Sequence, residues 1–166
     1  LLRLMAPILS FTAEEAWEVL NPGREESVFF HTWDGVLPPQ AGEEALMVKW
    51  ARLREIRALV QKSLEELRQG GGIGSSLQAE VSLAAPEGDR ALLESLGDDL
   101  RFVLITSTAS VEPGSSLAVR VTPSPHAKCD RCWHYREDIG ADPRHPAICG
   151  RCVSNIEGPG EERRHA

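Results

Sequence analysis

Cys129-Asp-Arg-Cys132 and Cys149-Gly-Arg-Cys152, sixteen residues apart, constrain this chain more than any other feature, and they hold all four of its cysteines. In each pair the two intervening residues form a tight turn that brings both sulfurs within reach of one ion. Two such knuckles at this separation match a four-thiolate zinc site. Gly150 is expected to ease that turn in the second knuckle, and Asp130 to tolerate it in the first. Two disulfides are the competing account, but no secretory signal is visible and cytosolic thiols stay reduced, which favours metal. Spacing does not separate zinc from iron in the same sulfur cage, and zinc is the default. His134 and His145 are read as bystanders, because four sulfurs already fill a tetrahedral shell. With no position left for water, the ion is expected to be structural rather than hydrolytic.

Composition narrows the rest. The chain has 166 residues, 42% hydrophobic and 26% charged, close to the globular average, so disorder throughout is excluded. No apolar stretch reaches the roughly 18 residues of a membrane span, and the reading is a cytoplasmic protein. The chain opens on Leu1 within a helical run, which suggests a fragment. The formal charge of -7 argues against binding nucleic acid by bulk electrostatics. Its distribution is uneven: residues 1–69 carry -3, residues 70–125 carry -4, and residues 126–166 balance. Lys128, Arg131 and Arg151 can offset the -2 charge of one zinc with four thiolates, and with Trp133 and Tyr135 they would form a basic and aromatic surface suited to single-stranded nucleic acid. Trp133 packed over the knuckle is an equal alternative at this point.

Ahead of the cysteines, Thr12-Ala-Glu-Glu15 has the form of a capping box and predicts a helix from Ala13 to about Leu20, ended by Asn21-Pro-Gly23. Trp17 and Trp33 are expected to pack in a core with Phe11, Val28 and Phe29. Apolar residues every three or four positions, from Leu46 through Trp50, Leu53, Ile56, Val60 and Leu64 to Leu67, predict a long helix over Glu43–Arg68 with one buried stripe. Its cations, interleaved with Glu55, Glu65 and Glu66, read as a solvated face rather than a groove for phosphates. Gly70 to Ser76 is a connector. Beyond it, Leu77 to Leu83 alternates as a half-buried strand, Glu87 to about Leu100 looks helical, Phe102 to Thr106 is a short β-branched apolar run, and Leu117, Val119 and Val121 alternate again. That order predicts a small α+β module with a helix on one sheet face. Thr122-Pro-Ser-Pro125 makes a stiff exit. No nucleotide-binding glycine fingerprint and no persuasive catalytic grouping is found, so no catalytic residue is assigned.

Four segments carry a resemblance: Met5 to Trp17, Ile73 to Ala79, Leu100 to Ser107, and Cys129-Asp-Arg-Cys-Trp-His-Tyr135 with Ile148-Cys-Gly-Arg-Cys-Val-Ser-Asn155. Over nearly its whole length the sequence resembles the C-terminal part of the bacterial-type isoleucyl-tRNA synthetases, which are class I aminoacyl-tRNA synthetases. The resemblance implies a multi-module α+β chain. Residues 1–69 would be the end of a helical anticodon-binding bundle, 70–125 a small connecting module acting as a spacer, and 126–166 a zinc-binding, tRNA-contacting module. It also implies one zinc on Cys129, Cys132, Cys149 and Cys152, with Arg131 and Trp133 facing the anticodon loop. Partners would be the anticodon stem-loop of a tRNA and the remainder of the same chain, which would work as a monomer. ATP would bind only in a catalytic domain that these residues do not include, as would the editing pocket. Two other functions stay open: the finger tail of a DNA-repair glycosylase, and a zinc-stapled protein-interaction module.

Overall fold

Residues 1–23, 25–35 and 37–161 are described by the computed structural model, so 162–166, the end of the expected 126–166 module, lie outside the described residues. The chain divides into two units, Leu1–Glu44 and Ala45–Ala166.

The first unit holds α1 (Leu2–Met5), α2 (Ser10–Leu20) and a 3-10 turn at Val28–Phe30. The expected capping box does not form. Helix α2 starts two residues before Thr12, with Leu9 at its N-cap and no side-chain cap, and Ser10 Oγ donates to the Ala6 carbonyl at 3.0 Å. Glu14, rather than Glu15, does the tying: its carboxylate accepts from Ser27 Oγ at 2.8 Å and from the Val28 N–H at 3.0 Å, which pins the 3-10 turn to α2. Ala6, Ala13 and Val28 form a small core, with Trp17 packed against it. The other expected core members do not join. Phe11 is 92% exposed, Phe29 lies at the surface, and Trp33 is 58% exposed with its indole N–H on the Arg3 carbonyl at 2.8 Å. A unit of this size encloses too little volume to bury five large side chains.

In the second unit, α3 (Glu43–Gln69) follows its stripe closely. Leu53, Ile56, Val60 and Leu64 are buried, Trp50 and Leu67 are half-buried, and only Leu46 of the expected set is exposed. The glycines then end it: Gly71 takes φ +75, and the Gly72 N–H closes back on the Leu67 carbonyl at 2.9 Å. Strand β1 (Ala79–Ala85) buries every second residue and is the middle of a three-stranded sheet. It pairs parallel with β2 (Thr108–Pro113) and antiparallel with β3 (Ala118–Pro123), so that Ser82 stands between Ser110 and Arg120.

A parallel pair needs a crossover, and α4 (Glu87–Glu94) with α5 (Leu100–Leu104) supplies it. The single helix expected to Leu100 is broken at Ser95–Asp99, where Gly97 has φ +54, and the Phe102–Thr106 run is helical up to Leu104 rather than extended. Leu93, Leu96, Leu100 and Leu104 join Leu53, Ile56, Val60 and Leu64 of α3 and the buried face of β1 in one cluster, which is the main core. Arg52 of α3 also grips Asp89 of α4 with two hydrogen bonds of 2.8 and 2.7 Å. A hairpin of β4 (Ala127–Lys128) and β5 (Tyr135–Arg136) and helix α6 (Gly150–Glu157) complete the unit. Among the described residues, no helix is long and apolar enough to cross a membrane.

Candidate metal centre and its exposed rim

The β4–β5 hairpin presents the first knuckle at its tip. The Trp133 N–H bonds the Cys129 carbonyl and the Cys129 N–H bonds the His134 carbonyl, both at 2.9 Å. The left-handed residue that makes this turn possible is Trp133, at φ 67, not Asp130. Asp130 acts between the knuckles instead, where its N–H bonds the Ala147 carbonyl at 3.1 Å and draws the second one alongside. There Cys149 sits at the N-cap of α6. Gly150 is helical, so it is not needed for turn freedom. Its constraint is space, since a Cβ would come 2.9 Å from the Asp138 Oδ2 that accepts the Gly150 N–H.

These contacts bring the four sulfurs to within 4.8 Å of one another. Cys129 and Cys152 are 3.8 Å apart, and Cys132 and Cys149 are 3.7 Å apart. A metal–sulfur bond of about 2.3 Å in a tetrahedron gives edges of about 3.8 Å, so the cage has the size of a zinc-type ion. It is far too open for disulfides, and all four cysteines are free. Cys129, Cys149 and Cys152 are buried, with Ile139 and Ile148 packed against them. Burial pushes the Cys129 thiol up, but the N–H groups of Cys132, Cys149 and Arg131 aimed at its sulfur outweigh that and bring it to about 6. Burial raises Cys132 and Cys149 instead. The cage therefore presents four sulfur donors, a donor set suited to a soft, tetrahedral ion.

Neither histidine belongs to the cage. The His134 ring is buried against the Cys132 carbonyl at 3.1 Å, and burial lowers its pKa from the ordinary histidine value. His145 bonds Glu157 at 2.7 Å, beside the Arg144–Glu157 ion pair.

The rim is narrower than the sequence suggested. Trp133 does not cover the knuckle: it is 59% exposed, with Lys128 Nζ 5.1 Å from its ring centre, and Arg131 is exposed beside it. Arg151 turns inward, paired with Glu161 and 5.0 Å from the centre of the Phe102 ring. Phe102 and Ser107, which touch the finger from α5 and from the turn before β2, were missed. Both lie in the Leu100 to Ser107 segment that carries the resemblance, but nothing in the residue types there marks a contact with the finger.

Residues 128–155, which contain all four cysteines, match a family model described as a zinc finger found in FPG and IleRS. Proteins named isoleucine-tRNA ligase align with the whole chain: those of Thiobacillus denitrificans at 60% identity, Bordetella petrii at 59% and Nitrosomonas europaea at 54%. The chain spans 18% of the length of each. Residues 1–83, half of the chain, match the model described as the anticodon-binding domain of tRNA ligase, and the chain belongs to that family.

Proposed function

We propose that this chain is the anticodon-recognition and zinc-finger part of an isoleucine-tRNA ligase, the enzyme that uses ATP to attach isoleucine to its tRNA. The observation that carries the reading is the four-sulfur cage, sized for a tetrahedral ion, in a chain whose first half matches anticodon-binding domains. Cys129, Cys132, Cys149 and Cys152 would hold one zinc. Bound there, zinc supplies a structural cross-link, worth on the order of 10 kcal/mol in small units of this kind. The residues around it do the recognition. Trp133 and Arg131 offer a stacking face and a cation to an unpaired loop of RNA, and Lys128 adds a second charge.

Activation of isoleucine, with its ATP, belongs to polypeptide outside these residues, and no residue here is catalytic. Exposed Ile8, Phe11 and Val19 in the first unit support a packing surface for the remainder of the same polypeptide. The division of labour into a helical part over 1–69, a spacer over 70–125 and a tRNA-contacting finger over 126–166 belongs to the same reading, as do a cytoplasmic location and a monomeric ligase.

Elemental analysis should return one zinc per chain. An isolated anticodon stem-loop should bind with a salt-dependent affinity, and Trp133→Ala should weaken it about tenfold, the usual scale for one lost base stack. A chain free of metal after reducing purification would overturn the zinc assignment. Equal affinity for random duplex DNA would overturn the anticodon role in favour of a repair-type finger.

A further inference from the structure

The two residues that follow Trp133 meet the α+β module at defined atoms, His134 through its buried ring and Tyr135 through its backbone N–H. Ser107, fully buried in the turn before β2, accepts the Tyr135 backbone N–H on its hydroxyl at 2.6 Å. The same hydroxyl donates to the Leu77 carbonyl, and the Ser107 N–H bonds the Ala79 carbonyl at 3.0 Å. One serine thus joins β5 to the start of the central strand. The second joint is aromatic. Phe102 of α5 meets the His134 ring edge-on, at 5.6 Å between centres and 78° between planes, and the same histidine also bonds the Cys132 carbonyl. The Phe102 ring also has Arg101 at 4.5 Å and the α6 residue Arg151 at 5.0 Å, so both halves of the cysteine cage touch one side chain.

The connection between β3 and β4 is three residues long, and Ser124 within it is held to the Gln78 carbonyl at 2.8 Å and to Glu80 at 2.7 Å, which fixes its sheet end and leaves the angle of the finger beyond β4 to the joints at Ser107 and Phe102. Buried polar joints with defined geometry fix that angle. We propose that Phe102, Ser107 and His134 are positioning residues that lock the finger at one angle to the sheet, so that Arg131 and Trp133 are held ready for an unpaired RNA loop. The second clause rests on the RNA-binding reading above; the first does not. A finger that swings must be ordered on binding, and that ordering is subtracted from affinity.

Residual dipolar couplings on the zinc-loaded 166-residue chain separate the two parts. In the wild type, amides of residues 129–155 and of the three-stranded sheet should fit a single alignment tensor. In Phe102→Ala they should need two, while the zinc content stays at one per chain and stem-loop affinity falls on the order of tenfold. Phe102→Tyr should restore both. If Phe102→Ala loses its zinc, Ser107→Ala carries the same test with a smaller disturbance. A single tensor retained in a zinc-loaded variant would overturn the lock. Two tensors with unchanged affinity would overturn its role in recognition. A wild-type chain that shows one tensor but binds no stem-loop would defeat the RNA reading and leave the lock standing.

Discussion

Ile105 and Trp133 are the two residues other than glycine with positive φ among those described, at 61° and 67°. For an L-residue that geometry costs about 1–2 kcal/mol, and a β-branched side chain is the least suited to it. Ile105 accepts it to end α5, where the next N–H, from Thr106, returns to the Arg101 carbonyl at 2.9 Å and carries the chain toward Ser107. Since its side chain is 46% exposed, little packing opposes a change. Ile105→Gly should therefore raise stability by about 0.5–1 kcal/mol after its own backbone entropy is counted, read as a higher urea midpoint; a lower midpoint would contradict the strain. Trp133 uses the same geometry differently, swinging its ring out of the hairpin. The sequence pointed to Asp130 as the tolerant residue because Asp commonly fills such positions. Which residue of a knuckle takes the left-handed place is decided by the hydrogen bonds around it, and those cannot be read from residue type.

Elements with a strong period were legible, and the others were not. The α3 stripe repeats through seven apolar positions and was placed nearly to the residue, whereas the strand expected over Leu77 to Leu83 begins two residues later, after a 3-10 turn at Ser76–Gln78, and runs on to Ala85. Ile56 lies at the centre of that stripe with no exposure, and Ile56→Ala should cost about 3–4 kcal/mol in chemical unfolding through lost burial and the cavity left behind. Helix α5 was misread because Phe102 to Thr106 has strand-like composition, whereas Leu100 and Leu104, four apart and both buried, settle it as a helix. The capping box at Thr12 failed for a related reason: Ser10, bonded to Ala6, starts the helix earlier and leaves Thr12 inside. Between α3 and α4, the Arg52 guanidinium holds the Asp89 carboxyl below its ordinary range. A lowered folded value means the stabilisation is present above the usual aspartate pKa of about 4 and is lost as pH falls through the folded one. Arg52 is 43% exposed, so screening trims the effect, and Asp89→Asn should cost only about 0.5–1 kcal/mol at neutral pH. The gap between variant and wild type should close in unfolding measurements below about pH 4. A gap that persists at low pH would show that the pair contributes by shape and not by charge.

At the scale of the whole molecule, the finger and the sheet draw on different sources of stability. The sheet rests on a continuous aliphatic core, while the finger's buried cluster is its cysteines with Ile139 and Ile148 packed against them. Chelation, or Cys149→Ser, should melt residues 126–161 and leave α3 and the sheet folded. That outcome would appear as a small loss of helical circular dichroism and a retained main unfolding transition, and loss of both together would contradict it. The cysteine cage was legible because its chemistry depends on spacing along the chain. Its attachment was not, because Ser107 reads like any loop serine until β5 is laid against it. The outer strands of the sheet hold a further consequence. Both β2 and β3 end in a proline, Pro113 and Pro123, and each is six residues long. A proline offers no N–H to a newcomer, and so short a rim gives an incoming strand little to grip. The sheet can therefore leave its outer edges unpaired without offering a template for other chains to add to.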